Sequence, residues 1–193
     1  MAEPDLDPDT LEGFRRGDPA AQRRVFERYG DRVYSIALHF LRGDHAAAQD
    51  AAQEAFVRMF RAAPSFRHDS RLSTWLYRIV ANACLDELRR RRRLVHFGDL
   101  PRQIHPTVAP VESSPLEAEV AAAVSRLSPK LRLAVLLRYF DDLSYDEIAR
   151  ALDCSPGTVA SRLARAHAAL ASSLAHLHAG RPRARESAHV TDA

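Results

Sequence analysis

The stretch from Leu94 to Pro115 constrains this chain more than any other feature. It holds Pro101, Pro106, Pro110 and Pro115 with Gly98, and its apolar residues follow no helical period. Proline lacks an amide donor and pushes the preceding residue out of the helical region. No helix therefore runs through this stretch, which reads as a linker over 94–115. It leaves two blocks, 11–93 and 116–179, between an acidic tail (1–10) and a Pro/Arg-rich tail (180–193) expected to be disordered. Of the 193 residues, 46% are hydrophobic, enough for packed cores, although modules this small bury only modest ones. The expected fold is all-α: two small helical domains joined by a flexible linker.

Within 11–41, Phe14, Val25, Phe26, Tyr29, Val33, Tyr34, Ala37 and Leu41 recur at three- and four-residue steps, the spacing of one helical face. Gly17-Asp18-Pro19 breaks that stretch into two helices, and Gly43-Asp44 stops the second. Asp44 is placed to cap a third helix running to about Ala62. A loop over 64–73 then precedes a fourth helix, Thr74 to Arg93. In the second block a helix spans 116–126, and Ser128-Pro129 restarts the chain, since serine caps and proline suits the first helical position.

The most informative local pattern begins at Ser144-Tyr145-Asp146-Glu147, a capping box in which serine and glutamate satisfy each other's amides. Ile148, Ala149 and Leu152 face inward, Asp153-Cys154-Ser155 turns, and Ser155 caps a helix with Pro156 at its first position. Val159, Leu163, Ala166 and Leu170 form its apolar stripe, while Thr158, Ser161, Arg162 and Arg165 lie opposite. A short helix, a tight turn and a second helix with polar N-terminal residues is the helix-turn-helix geometry that docks in a DNA major groove. A plain helical hairpin shares the same pattern.

These residues resemble a known family. Asp141 to Ala149 followed by Ser155 to Ala166, with Leu127 to Arg132 and Leu136 to Tyr139 before them, are similar to region 4 of extracytoplasmic-function sigma factors of the sigma-70 family. The resemblance implies contacts to the −35 promoter element from Arg138, Ser155, Thr158, Ser161, Arg162 and Arg165. Ala160 stands where many members carry a basic residue, so one basic contact to that element is missing.

The first block resembles the same family. Asp50-Ala51-Ala52-Gln53-Glu54-Ala55-Phe56-Val57-Arg58-Met59-Phe60 is similar to its region 2.2, and the loop Pro64 to Ser73 with Thr74 to Asp86 is similar to regions 2.3 and 2.4. The resemblance implies that Asp50, Gln53, Glu54, Phe56 and Arg58 dock on the clamp coiled coil of RNA polymerase. It implies further that Phe66, Arg67, His68, Asp69, Ser70, Arg71, Trp75, Arg78, Asn82, Arg89 and Arg90 meet the −10 element. Trapping an unstacked base takes aromatic faces and polar edges, and arginines hold phosphates. Read from the residues alone, the charges on 50–58 make a solvated face, Trp75 packs with Ile79 in a core, and the run Arg89 to Arg93 is a basic helix end.

Core RNA polymerase (clamp coiled coil and flap), promoter DNA and an anti-sigma factor are the partners this family implies. A stand-alone DNA-binding regulator is the main alternative, and it leaves the first block unexplained. A nucleic-acid-processing enzyme is disfavoured, because neither a phosphate-binding loop nor a nucleophile–base arrangement is present. No cofactor or metal is expected. Cys84 and Cys154 lie apart from any CxxC or histidine cluster and read as reduced thiols. No apolar run nears the roughly 20 residues that span a bilayer, so a soluble, cytoplasmic protein without membrane insertion is expected.

Overall fold

The computed structural model describes residues 6–67, 70–96 and 114–179. Among them every regular element is helical. In chain order these are α1 (Pro8–Arg16), α2 (Pro19–Phe40), α3 (His45–Ala62), a 3-10 turn (Ala63–Ser65), α4 (Leu72–His96), α5 (Pro115–Arg126), α6 (Pro129–Phe140), α7 (Tyr145–Ala151), α8 (Pro156–Ser173) and α9 (Ala175–Ala179).

Local chemistry explains the boundaries. Asp7 accepts from the Thr10 amide with Pro8 in the first helical position, so α1 starts before Leu11, where the apolar period alone placed it. Gly17 ends α1 at φ 80°, a left-handed conformation that costs glycine little. Asp18 and Asp44 cap α2 and α3, and Ser114, Ser144 and Ser155 cap α5, α7 and α8. Each such cap stabilises its helix by about 1 kcal/mol. Ser114-Glu117 is a second full capping box. Ser128 holds the N-cap conformation, but its hydroxyl makes no cap hydrogen bond, so the expected serine cap is one of backbone shape only. α4 begins at Leu72 and runs to His96, beyond both ends read from the sequence.

In the first block, α2 packs on α3, α3 on α4, and α1 crosses α2. The crossing is close: a Cβ on Gly13 would sit 3.0 Å from that of Ala21. Phe14, Val25, Tyr29, Val33, Ile36, Phe40, Met59, Leu76 and Val80 fill the interior, each at most 1% exposed. Burying a Phe or Ile side chain in this way contributes about 2–3 kcal/mol. In the second block α8 packs on α6 and α7 around Leu133, Leu136, Leu137, Ile148, Val159 and Leu163.

The two blocks also pack on each other, α2 against α6 and α4 against α7, and their buried residues form one continuous apolar cluster. A sequence that divides at 94–115 thus folds into two modules whose facing helices share a core. The linker's residues 97–113 and the tails 1–5 and 180–193 fall outside the described residues.

Candidate nucleic-acid interface

The second block carries the helix-turn-helix in detail. Ser144 Oγ accepts from the Glu147 amide at 3.3 Å, and the Glu147 carboxylate accepts from the Ser144 amide at 2.9 Å. Burial alone would raise the Glu147 pKa, but the hydrogen bonds from Ser144, with Arg71 and Arg150 nearby, hold it below its ordinary range. Ile148, Ala149 and Ala151 are buried. Asp153 turns the chain at φ 49°. Ser155 Oγ then accepts from the Thr158 amide at 3.1 Å, opening α8.

On α8, Val159, Leu163 and Ala166 face the core at 0–1% exposure. Ser155, Ser161 and Arg165 are exposed, and Thr158 and Arg162 are half-buried. Arg162 Nη1 lies 3.5 Å from Cys154 Sγ, so α8 rests on the turn before it. Arg138 is anchored differently. It donates to the Leu143 carbonyl at 2.8 Å and stacks over the Tyr145 ring, which is 43% exposed. Tyr145, absent from the sequence-based site, thereby joins this face.

In the first block, Asp50, Gln53 and Glu54 are exposed along α3, while Phe56 is 4% exposed. Arg58 is a strut: it pairs with Glu54 at 2.7 Å and with Asp86 of α4 at 2.9 Å. Beside this face runs an apolar groove between α2 and α3, lined by Phe26, Gly30, Tyr34, Gln53, Phe56 and Phe60 and about 720 Å³ in volume. Phe26 is 52% exposed, with its ring 4.8 Å from that of Phe56. Sequence reasoning placed Phe26 among the periodic core positions. The available signal was its adjacency to Val25: neighbouring helical residues point about 100° apart, so one of the two leaves the core.

The expected −10 residues divide into three groups. Phe66 is 4% exposed and packs on Trp75, ring centroids 5.3 Å apart, so its face is turned to the core and not to a base. Trp75 is half-buried and also meets Phe14 edge-on at 6.4 Å. Arg71, just before α4, and Arg78, Asn82 and Arg89 within it follow four- and seven-residue steps along one stripe and are all exposed. Arg67 is exposed and Ser70 half-buried, while His68 and Asp69 lie outside the described residues.

The arginine run has internal partners. Arg89 pairs with Asp86 at 3.0 Å and Arg90 with Glu87 at 2.8 Å. Arg91 turns inward, bridging Glu87 and Asp44, each at 2.8 Å. It is a structural tie between α4 and the start of α3. Arg92 and Arg93 are exposed. Among the described residues no cluster of three potential metal ligands occurs, and no helix is long and apolar enough to cross a membrane.

Comparison with known proteins bears on both blocks. The Sigma-70 region 2 family matches residues 25–94, and the Sigma-70, region 4 family matches residues 117–170. The RNA polymerase sigma-H factor of Pseudomonas aeruginosa is 33% identical over 187 residues, which is 90% of this chain and 96% of that protein. The ECF RNA polymerase sigma factor SigM of Mycobacterium tuberculosis is 37% identical over 183 residues, covering 90% and 87%. Among solved structures, the sigma factor RpoE in complex with the anti-sigma factor NepR from Bartonella quintana aligns at a TM-score of 0.67 and 26% identity, over 79% of this chain and 96% of that one.

Proposed function

The chain belongs to the extracytoplasmic-function sigma factors of the sigma-70 family, and we propose that it binds core RNA polymerase, recognises the −10 and −35 promoter elements and promotes DNA opening for transcription initiation. The observation that carries this reading is the pairing, in one chain and in family order, of a region 2 block with a region 4 helix-turn-helix. A helix-turn-helix alone is compatible with any DNA-binding regulator.

The division of labour follows the surfaces. The exposed residues Asp50, Gln53 and Glu54, with the groove between Phe26 and Phe56, dock on the polymerase clamp. Arg71, Arg78 and Asn82 face the melted −10 strand, with Arg67, Ser70 and Trp75 at the head of the stripe and Arg89 and Arg90 further along. Ser155, Thr158, Ser161, Arg162 and Arg165, backed by Arg138, read the −35 duplex, where the positive end of the α8 dipole favours phosphate. Domain boundaries at 11–93 and 116–179 serve this division. Tethering raises the effective concentration of the second contact once the first has formed. The chain breaks no covalent bond; synthesis belongs to the polymerase, and the site of action is the cytoplasm. An anti-sigma protein is a further partner, as for the similar sigma factor solved with NepR.

In vitro transcription with purified core polymerase on a library randomised at both elements tests the reading. Arg162→Ala and Arg165→Ala should weaken −35 dependence and leave core binding intact, and variants of Arg67 to Ser70 should shift −10 preference. Equal loss of core binding in the α8 variants contradicts the division. Promoter opening without core polymerase would favour the stand-alone regulator.

A further inference from the structure

Helix α4 carries five consecutive arginines near its end, Arg89 to Arg93, and the structure divides them into two classes. The first three are matched by acids of the chain. Arg89 pairs with Asp86, which also receives Arg58. Arg90 grips Glu87 with two nitrogens, at 2.8 and 3.0 Å, and the Asp50 charge acts on it as well. Arg91 turns inward to Glu87 and Asp44. Glu87 is only 8% exposed, so an arginine that left it would strip donors from a buried carboxylate, which is costly. Arg92 and Arg93 differ. Both are exposed, and neither side chain makes a hydrogen bond or ion pair with another described residue.

Helical geometry sets where these two point. At about 100° per residue, Arg92 lies about 60° to one side of Arg89 and Arg93 about 40° to the other. Arg90 is turned about 100° away and Arg91 about 160°, which matches the inward course of Arg91. Arg92 and Arg93 therefore straddle the line of Arg71, Arg78, Asn82 and Arg89 and carry it about 6 Å further along the helix. The character of the stripe changes on the way. From Ala83 to Arg93 there is no aromatic ring and no amide side chain, the groups that stack on a base or bond adenine edges. What this end of α4 offers DNA is charge.

We propose that Arg92 and Arg93 are the pair that holds the DNA backbone, through its phosphates, where it runs on past the bases bound along the stripe. This rests on the assignment of the stripe to the −10 strand. An unmatched cation that meets a phosphate releases a counterion in full. A cation that leaves a carboxylate to do so gains less, because the abandoned carboxylate takes up a cation in turn. Arg89 and Arg90 thus add less to the salt dependence than their charge suggests. Arg92 and Arg93 add affinity and fix the register of the strand without adding sequence preference, since phosphate contacts position and base contacts specify.

The test uses holoenzyme assembled with wild type, Arg92→Ala, Arg93→Ala, the double alanine variant, and the charge-keeping pair Arg92→Lys with Arg93→Lys. Affinity is measured over a fourfold rise in salt on two kinds of probe from the promoter library above: the −10 single strand, and forks in which that strand runs into duplex at one end or the other. Each alanine should shrink the salt-dependent loss of affinity by about threefold, because one phosphate contact contributes about 0.7–0.9 to the slope of log affinity on log salt. The double variant should change the slope twice as much, the lysine pair should keep the wild-type slope, and −10 base preference should stay the same throughout. A change on every probe supports the proposal with phosphates of the melted strand, and a change on a fork alone supports it with phosphates of the flanking duplex. Arg23→Ala, which removes an equal charge from a site on α2 that is 80% exposed, should leave the slope as it was. An unchanged slope in the double variant on every probe overturns the proposal. So does a shifted base preference, an equal change in Arg23→Ala, or a lysine pair that behaves like the alanines. Arg78→Ala and Asn82→Ala keep the premise separate. If −10 selection ignores them, the stripe is misassigned, whereas the slope still reports whether Arg92 and Arg93 meet phosphate.

Discussion

Arg132 Nη1 donates to the main-chain oxygen of Phe40, a residue 92 positions earlier in the chain. The same guanidinium donates to the carbonyls of Val124, Ser125 and Leu127 and lies over the Phe40 ring. A buried cation with no carboxylate in that set is held by the carbonyl ends of two helices, where partial negative charge collects. Burial first, then the Arg42 charge, lowers its pKa to about 10, so it stays protonated at neutral pH. Arg132→Met removes donors from several buried carbonyls at once and should cost about 3 kcal/mol, read as a lower urea midpoint. Arg132→Lys keeps the charge but not the planar fork, and should fall between the two.

Acid should weaken the tie between α3 and α4. Burial on its own would raise the pKa of Asp44, but the Ala47 amide and Arg91 hold it below its ordinary value, and Arg90 and Arg91 lower Glu87 against a similar burial cost. Groups depressed in the folded state bind more protons unfolded. Their stabilisation is complete above the unfolded pKa values and is lost as pH falls through the folded ones, from about pH 5 downward. Asp44→Asn keeps a capping side chain and removes the charge pair. It should lower stability by about 1 kcal/mol at neutral pH and flatten the acid limb of the urea-midpoint profile.

Phe26→Ala separates docking from folding. The ring is half out in solvent, so truncation should move the urea midpoint little. An aromatic lining a docking groove behaves as an interface anchor, and its loss should weaken core polymerase binding by about tenfold or more. Surface plasmon resonance against immobilised core reads this directly. Unchanged affinity removes the groove from the docking surface.

The two thiols should react at very different rates. Burial, with a smaller push from the Glu87 charge, raises the Cys84 pKa to about 12, so it stays a buried thiol. Cys154 is half-buried in the turn beside Arg162. Ellman's reagent should titrate one thiol in the native chain and two in urea, with Cys154→Ser abolishing the native signal.

What could be read in the sequence was local. Ser144-Glu147, Ser155-Pro156, Asp44 and Gly17-Asp18-Pro19 act within one turn of the chain, so their spacing is enough to place helix ends and the helix-turn-helix. Contacts between distant helices were not legible. Arg91 reads as part of a basic helix end and nothing in the sequence marks Arg132 as buried, since charged side chains are rarely buried; only the meeting of α6 with α2, or α4 with α3, supplies their partners. Phe66 fitted an aromatic strand-binding loop by type, but its packing on Trp75 depends on α1 and its Phe14. The exposure of Phe26, and the seam between α4 and α7, likewise depend on which faces the folded helices turn to each other.

Trp75 is the only tryptophan in the chain, and it sits half-buried between Phe14 and Phe66 at the mouth of the 64–73 loop. The chain therefore carries its own optical gauge. Indole emission reports the polarity around this one ring, so strand capture at the loop can be followed in real time with no dye attached and no background from a second indole in the same chain.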